Sequence, residues 1–144
     1  MGLDLFGPSH ICIVAADLDV AMRELGAVWR TSWTAGRDGT VGIPFRSGSS
    51  ITTVHLRSAW GERGPLRVEL IQAVVDTIWP PGGADYFHHL GYSVPDLQAE
   101  ARRMTALGLE LEWTRAEGPF DINAFGYFRL PGGVRIELVS RAID

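Results

Sequence analysis

Two histidines and two glutamates in this sequence are of the types that bind metal ions and move protons, and a repeat relates them. His10 opens His-Ile-Cys-Ile-Val-Ala-Ala-Asp-Leu, and His89 opens His-Leu-Gly-Tyr-Ser-Val-Pro-Asp-Leu, each reaching Asp-Leu seven residues after the histidine. Further on, Arg67-Val68-Glu69-Leu70-Ile71 is matched by Arg135-Ile136-Glu137-Leu138-Val139. The order is His…Glu, then His…Glu again. Two copies are too few for a solenoid, so the repeat predicts a pair of modules. Each glutamate stands between apolar neighbours in an alternating strand, so it points away from the face those neighbours bury. A carboxylate placed there needs either solvent or a cation.

The elements around these residues follow from period and punctuation. Residues 9–15 read as a strand with Ile11, Ile13 and Ala15 on one face and His10, Cys12 and Val14 on the other. Asp17 caps a short helix that Gly26 is expected to end. Val28–Thr34 reads as a strand carrying Trp29 and Trp33 on one face. Ala35–Gly48 is rich in turn residues, with Val41–Arg46 either a short strand or a loop. Ile51–Arg57 and Leu66–Val75 read as strands, with Ala59–Pro65 a turn between them. Trp79-Pro80-Pro81-Gly82-Gly83 is the strongest break in the chain. It divides module one (about 1–78) from module two (about 88–144), with residues 79–87 as a linker in a single domain.

Module two repeats the order. His88–Val94 is a strand, Asp96 caps a helix through Leu107, and Gly108 stops it. Leu97, Ala101, Met104 and Leu107 recur at helical spacing and are expected to face the sheet. Leu109–Ala116, Asn123–Leu130 and Val134–Ser140 complete the strands. Strand, helix, then about three strands in each half predicts an α+β fold with helices on one face of a sheet.

Composition excludes several classes. The chain has 144 residues, 46% hydrophobic and 21% charged, which is ordinary for a folded domain. A net charge of -4 and no Lys/Arg cluster argue against nucleic acid. No apolar run approaches membrane-spanning length, and a single cysteine, Cys12, excludes an intramolecular disulfide framework. With no signal-like N-terminus, the expectation is a cytoplasmic protein acting on a small molecule.

Ser9-His10 with Asp17-Leu18, Val68-Glu69-Leu70, His88-His89-Leu90 with Asp96-Leu97, and Gly132-Gly133 before Ile136-Glu137-Leu138 resemble the vicinal oxygen chelate superfamily. That group contains glyoxalase I, methylmalonyl-CoA epimerase, extradiol dioxygenases and bleomycin-resistance proteins. The resemblance spans the whole chain as two βαβββ modules and implies a curled mixed sheet around a metal cleft. Carried over by position, it implies His10, Glu69, His89 and Glu137 as ligands of one divalent ion. Two imidazoles and two carboxylates suit zinc, nickel, cobalt, manganese or iron, and ligand type alone does not choose among them. Of the adjacent histidines, only His89 matches the spacing of His10 to its aspartate. His88 is expected on the opposite face of the strand, and His55 as an exposed residue with no partner.

The resemblance further implies a metal-dependent isomerase, epimerase or lyase that removes a proton next to a carbonyl or thioester, with Glu137 and Glu69 as the proton carriers. Arg67 and Arg135 lie two residues before the glutamates, on the same faces, and are candidates for holding a substrate carboxylate or phosphate. The competing assignment for each is a pairing with an acid on a neighbouring strand. Cys12, Gly91 and Ser93 share the histidines' faces and are small, which leaves room for a ligand, and Cys12 also reads as a buried structural thiol. One or two of the five tryptophans are expected at the site, and Phe120–Tyr127 as a lid or rim. Two alternatives stand beside the isomerase reading: a metal-free drug- or metabolite-binding protein and an iron-dependent dioxygenase. Members of the superfamily commonly dimerise, so a homodimer is expected.

Overall fold

The computed structural model describes residues 8–44, 51–62, 64, 66–114 and 125–140. Their elements run β1 (His10–Ala15), α1 (Leu18–Trp29), β2 (Trp33–Pro44), β3 (Ile51–Gly61), β4 (Arg67–Gln72), β5 (Tyr86–Val94), α2 (Leu97–Ala106), β6 (Glu110–Thr114), β7 (Phe125–Arg129) and β8 (Arg135–Ser140). This is the α+β order that the repeat predicts, strand, helix and three strands, read twice. Contacts divide the chain into one unit of His10–Val41 and Thr53–His88 and another that is chiefly His89–Asp144. The change from one to the other falls inside β5. No helix of the described residues is long and apolar enough to cross a membrane.

In the first unit the strands lie in the order β2-β3-β4-β1. β1 runs parallel to β4, with His10 opposite Arg67 and Cys12 opposite Glu69, and β3 runs antiparallel to β4, with Trp60 opposite Glu69. Alternation sends Ala15, Ala59 and Leu70, with Ile13 and Val68, against Leu18 and Ala21 of α1. Asp17 caps α1 by accepting the Val20 amide at 3.0 Å.

Gly26 does not end this helix. α1 continues to Trp29, and Arg30 closes it in the left-handed conformation at φ 52°, its amide donating to the Gly26 carbonyl. Trp29 is therefore helical, Trp33 begins β2, and the two tryptophans do not share a strand face. Glycine at 26 answers a different need. A Cβ there would lie 2.9 Å from Trp33 Nε1, the atom that donates to the Met22 carbonyl at 2.8 Å. The glycine-rich stretch after Trp33 is likewise strand as far as Pro44. Gly36 there lets β2 pass close to Ser58, whose Oγ accepts the Arg37 amide at 2.8 Å. Strand β3 also runs on to Gly61, into the first part of the expected turn.

The second unit has the strand order β5-β8-β7-β6, with β5 parallel to β8 and the other neighbours antiparallel. Val94, Phe128 and Leu138 pack against Leu97, Ala101 and Met104 of α2. Truncating Phe128 or Leu138 to Ala would cost about 3–5 kcal/mol. Asp96 caps α2 through the Ala99 amide, and Gly108 at φ 87° reverses the chain after it.

Leu107 is 61% exposed and does not join this core. Glu100, nearer the N-terminus of α2, is fully buried and accepts from Arg103 Nε at 2.8 Å. That hydrogen bond raises the Arg103 guanidinium above its ordinary pKa. Burial shortens the apolar stripe of α2 at its C-terminal end because Leu107 lies past the last helical turn, as the cap.

Candidate functional site

Each module builds a histidine–glutamate pair from its first and last strands. In the first, His10 on β1 and Glu69 on β4 stand on the face turned away from α1, with His10 Nε2 3.8 Å from Glu69 Oε2. His10 is buried, and Trp60 from β3 meets it edge to face, with ring centroids 5.0 Å apart at 79°. Arg67 lies over the same indole, its guanidinium carbon 4.5 Å from the ring centroid. Cys12, fully buried, occupies the next position of this face on β1, in register with Glu69.

In the second module His89 on β5 and Glu137 on β8 form the equivalent pair, Nε2 to Oε2 3.0 Å, both buried. Gly91 lies in register with Glu137 and so puts no side chain beside that carboxylate. Ser93, half-buried, follows on the same face of β5. Tyr127, in register with Glu137 on the other side, lies 4.9 Å from the His89 ring, and Trp113 lies 5.3 Å behind Tyr127.

A register shift in β6 puts Trp113 there. Leu111 pairs with Phe128 on the α2 side, yet Trp113, two residues on, pairs with Tyr127 on the opposite side. The extra residue between them, Glu112, is the acid that receives both Arg129 Nε at 2.8 Å and Arg135 Nη2 at 3.1 Å. A bulge that re-aims an aromatic ring leaves no mark on plain alternation, which would have put Leu111 and Trp113 together. Tyr127 was recoverable, because it is one strand away from Glu137 in an antiparallel hairpin. Trp60 was recoverable in the same way from its register with Glu69.

The remaining candidates fall as follows. Arg135 is held by Glu112, while Arg67 remains exposed over Trp60. His88 is buried and lies 2.7 Å by Nε2 from the Ile78 carbonyl, and one of its ring nitrogens is within 4.8 Å of the Cys12 sulfur. His55 is exposed as expected but is not alone: its Nε2 lies 2.6 Å from Asp38 Oδ1. Of the expected lid, residues 120–124 lie outside the described residues. Phe125–Tyr127 is strand β7, paired on both sides, and forms no lid. Of the tryptophans, Trp60 and Trp113 flank the two pairs, Trp33 packs against the core beneath α1, Trp79 is buried, and Trp29 is half-exposed at the end of α1.

Comparison with known proteins accords with this architecture. Residues 9–127 match the model of the Glyoxalase/Bleomycin resistance protein/Dioxygenase superfamily. The chain belongs to this superfamily. Its fold is shared with the methylmalonyl-CoA epimerase of Mycobacterium tuberculosis, at TM-score 0.68 and 20% identity over 97% of this chain and 91% of that one. A methylmalonyl-CoA epimerase in complex with methylmalonyl-CoA and NH4+ gives TM-score 0.66 at 18% identity, over 98% and 96% of the two chains. A variant 4-hydroxymandelate synthase from Streptomyces coelicolor gives 0.62 at 16%, with 93% of this chain covering 38% of that one. No curated protein matches the sequence. At these identities the likeness is one of fold.

Proposed function

We propose that this superfamily member is a metal-dependent isomerase or epimerase in which His10, Glu69, His89 and Glu137 hold one divalent cation. The observation that carries the reading is a buried imidazole facing a carboxylate, found once in each module at repeat-equivalent positions. Two neutral nitrogens and two anionic oxygens match a borderline divalent ion, and neither carboxylate has the open solvation that a surface glutamate relies on. When bound, such an ion polarises a carbonyl oxygen and stabilises the charge that develops as the neighbouring carbon loses its proton.

The chain's own part is to hold and move that proton. Glu137, buried beside His89, is the better base, because a carboxylate with little access to water gains most by taking up a proton. Glu69 is the partner that returns a proton. Gly91 puts no side chain beside Glu137, while Trp60 and Tyr127 present apolar walls to the histidines. The structural likeness to epimerases favours a carbonyl or acyl-thioester substrate, and we extend the reading to a homodimeric, cytoplasmic enzyme.

Metal analysis of the purified protein tests the ligand set, and solvent-deuterium incorporation into methylmalonyl-CoA and α-hydroxy or α-keto carbonyls tests the chemistry. Stoichiometric metal that is lost in Glu69→Gln and Glu137→Gln, together with exchange into one of these substrates, is expected. Metal-free protein that still binds ligands would instead favour a sequestering role. Elution at the monomer mass of 15.8 kDa would contradict the dimer.

A further inference from the structure

The two arginines that precede the paired glutamates hold the same place in the repeat, yet the fold treats them differently. Arg135 is 13% exposed and spent, its Nη2 3.1 Å and its Nε 3.4 Å from the Glu112 carboxylate. Arg67 is exposed, and among the described residues no carboxylate lies within ion-pairing distance of it. Glu62, just past the end of β3, is engaged by Thr34 Oγ1 at 2.7 Å. What orders Arg67 is Trp60, over whose ring its guanidinium carbon sits at 4.5 Å.

Contact through the face of a guanidinium leaves its N–H donors at the edge, in the fork that matches a carboxylate or phosphate. It also restricts the side chain beforehand, so less rotamer freedom is lost when an anion arrives. The position is specific as well. Arg67 is in register with His10, and Trp60 with Glu69, on one face of β1, β4 and β3. The same indole that carries Arg67 meets the edge of His10 at 5.0 Å. A cation with no acidic partner among the described residues thus lies across one ring from a residue of the proposed reaction centre.

We propose that Arg67, supported on Trp60, is an oxyanion-binding subsite that takes a carboxylate or phosphate group of the substrate. This rests on the reading of His10 and Glu69 as part of the reaction centre and narrows it: the substrate is an anion. Trp60 acts as the positioning residue, and Arg135 takes no part, despite its equivalent place in the repeat.

The test is a calorimetric titration of the full-length protein with inorganic phosphate and, separately, with acetate, both as purified and after chelation. The phosphate and acetate arms distinguish the two sources of the oxyanion, and binding of either supports the subsite. A charge-assisted bidentate contact predicts that Arg67→Gln weakens binding about tenfold or more. Arg135→Gln is expected to leave binding within about twofold of wild type, since its guanidinium is already occupied. Arg67→Lys should recover only part of the loss, and Trp60→Leu should weaken binding with the charge retained. Far-UV circular dichroism reports that each variant is folded.

The proposal is overturned if neither anion binds wild type, if Arg67→Gln binds as wild type does, or if Arg135→Gln loses as much. Metal content measured on the same samples separates this outcome from the reading beneath it. Absent metal with intact Arg67-dependent anion binding sinks the metal reading alone. Stoichiometric metal with no such binding sinks the subsite alone.

Discussion

Removing the cation from the α2 pair, by Arg103→Met, is a sharp test of how burial sets energies here. Glu100 is 0% exposed, one of its oxygens accepts from Arg103, and among the described residues Oε2 has no hydrogen-bond partner. Stripping the partner from a fully buried ion pair costs about 3–5 kcal/mol, because the remaining charge is left without compensation. The Arg103 side chain is 45% exposed, so water already screens the pair, and the expected loss falls to about 2 kcal/mol. Glu100→Met takes away the charge and the unsatisfied oxygen together at similar volume. It should be neutral or stabilising by about 1 kcal/mol. The double variant should match Glu100→Met, giving a coupling of about 2 kcal/mol. Urea unfolding followed by circular dichroism, at unchanged m-value, reads all four proteins. An Arg103→Met variant within about 0.5 kcal/mol of wild type, beside a Glu100→Met variant that loses about 2 kcal/mol, would refute this account.

Other outcomes follow from single contacts. Gly26→Ala should lose about 1–2 kcal/mol in the same unfolding assay, because its Cβ would press on Trp33 Nε1 and disturb the bond to Met22. Asp17→Ala and Asp96→Ala each remove a helix N-cap and should cost about 1 kcal/mol, while Asn at either position should restore most of it. Breaking the exposed His55–Asp38 pair with His55→Ala should change stability by no more than about 0.5 kcal/mol, and a larger loss would mean the pair is not solvent-screened. Metal content, measured by elemental analysis, should fall from stoichiometric to substoichiometric in both Glu69→Gln and Glu137→Gln.

Repetition made the architecture legible, since His, Asp-Leu and Arg-x-Glu recur at matched intervals and each recurrence marks an equivalent strand or cap. The two histidine–glutamate pairs were readable for the same reason: a glutamate between two apolar residues on a strand has a fixed face. What alternation missed are departures from regular backbone. Gly26 resembles a helix stop but serves a tryptophan side chain, and the true stop, Arg30, is a residue type with no preference for the left-handed region. Gly36 in β2 reads as a turn residue although it answers a close approach to Ser58 of β3. The bulge at Glu112 moved Trp113 across the sheet and fixed the partner of Arg135. That Arg135 pairs with an acid while Arg67 lies over Trp60 is invisible in the repeat, because that acid is the bulged residue of a different strand.

In each module the imidazole comes from the first strand and the carboxylate from the last, joined by a parallel pairing that only a finished crossover can close. Such long-range closure is a late event in folding, and a chain made from its N-terminus completes the His10–Glu69 pair before its second module has emerged. A module truncated before its last strand therefore carries a histidine with no acid opposite it. Under the proposed metal-dependent function, cation binding would report that both closures have been made.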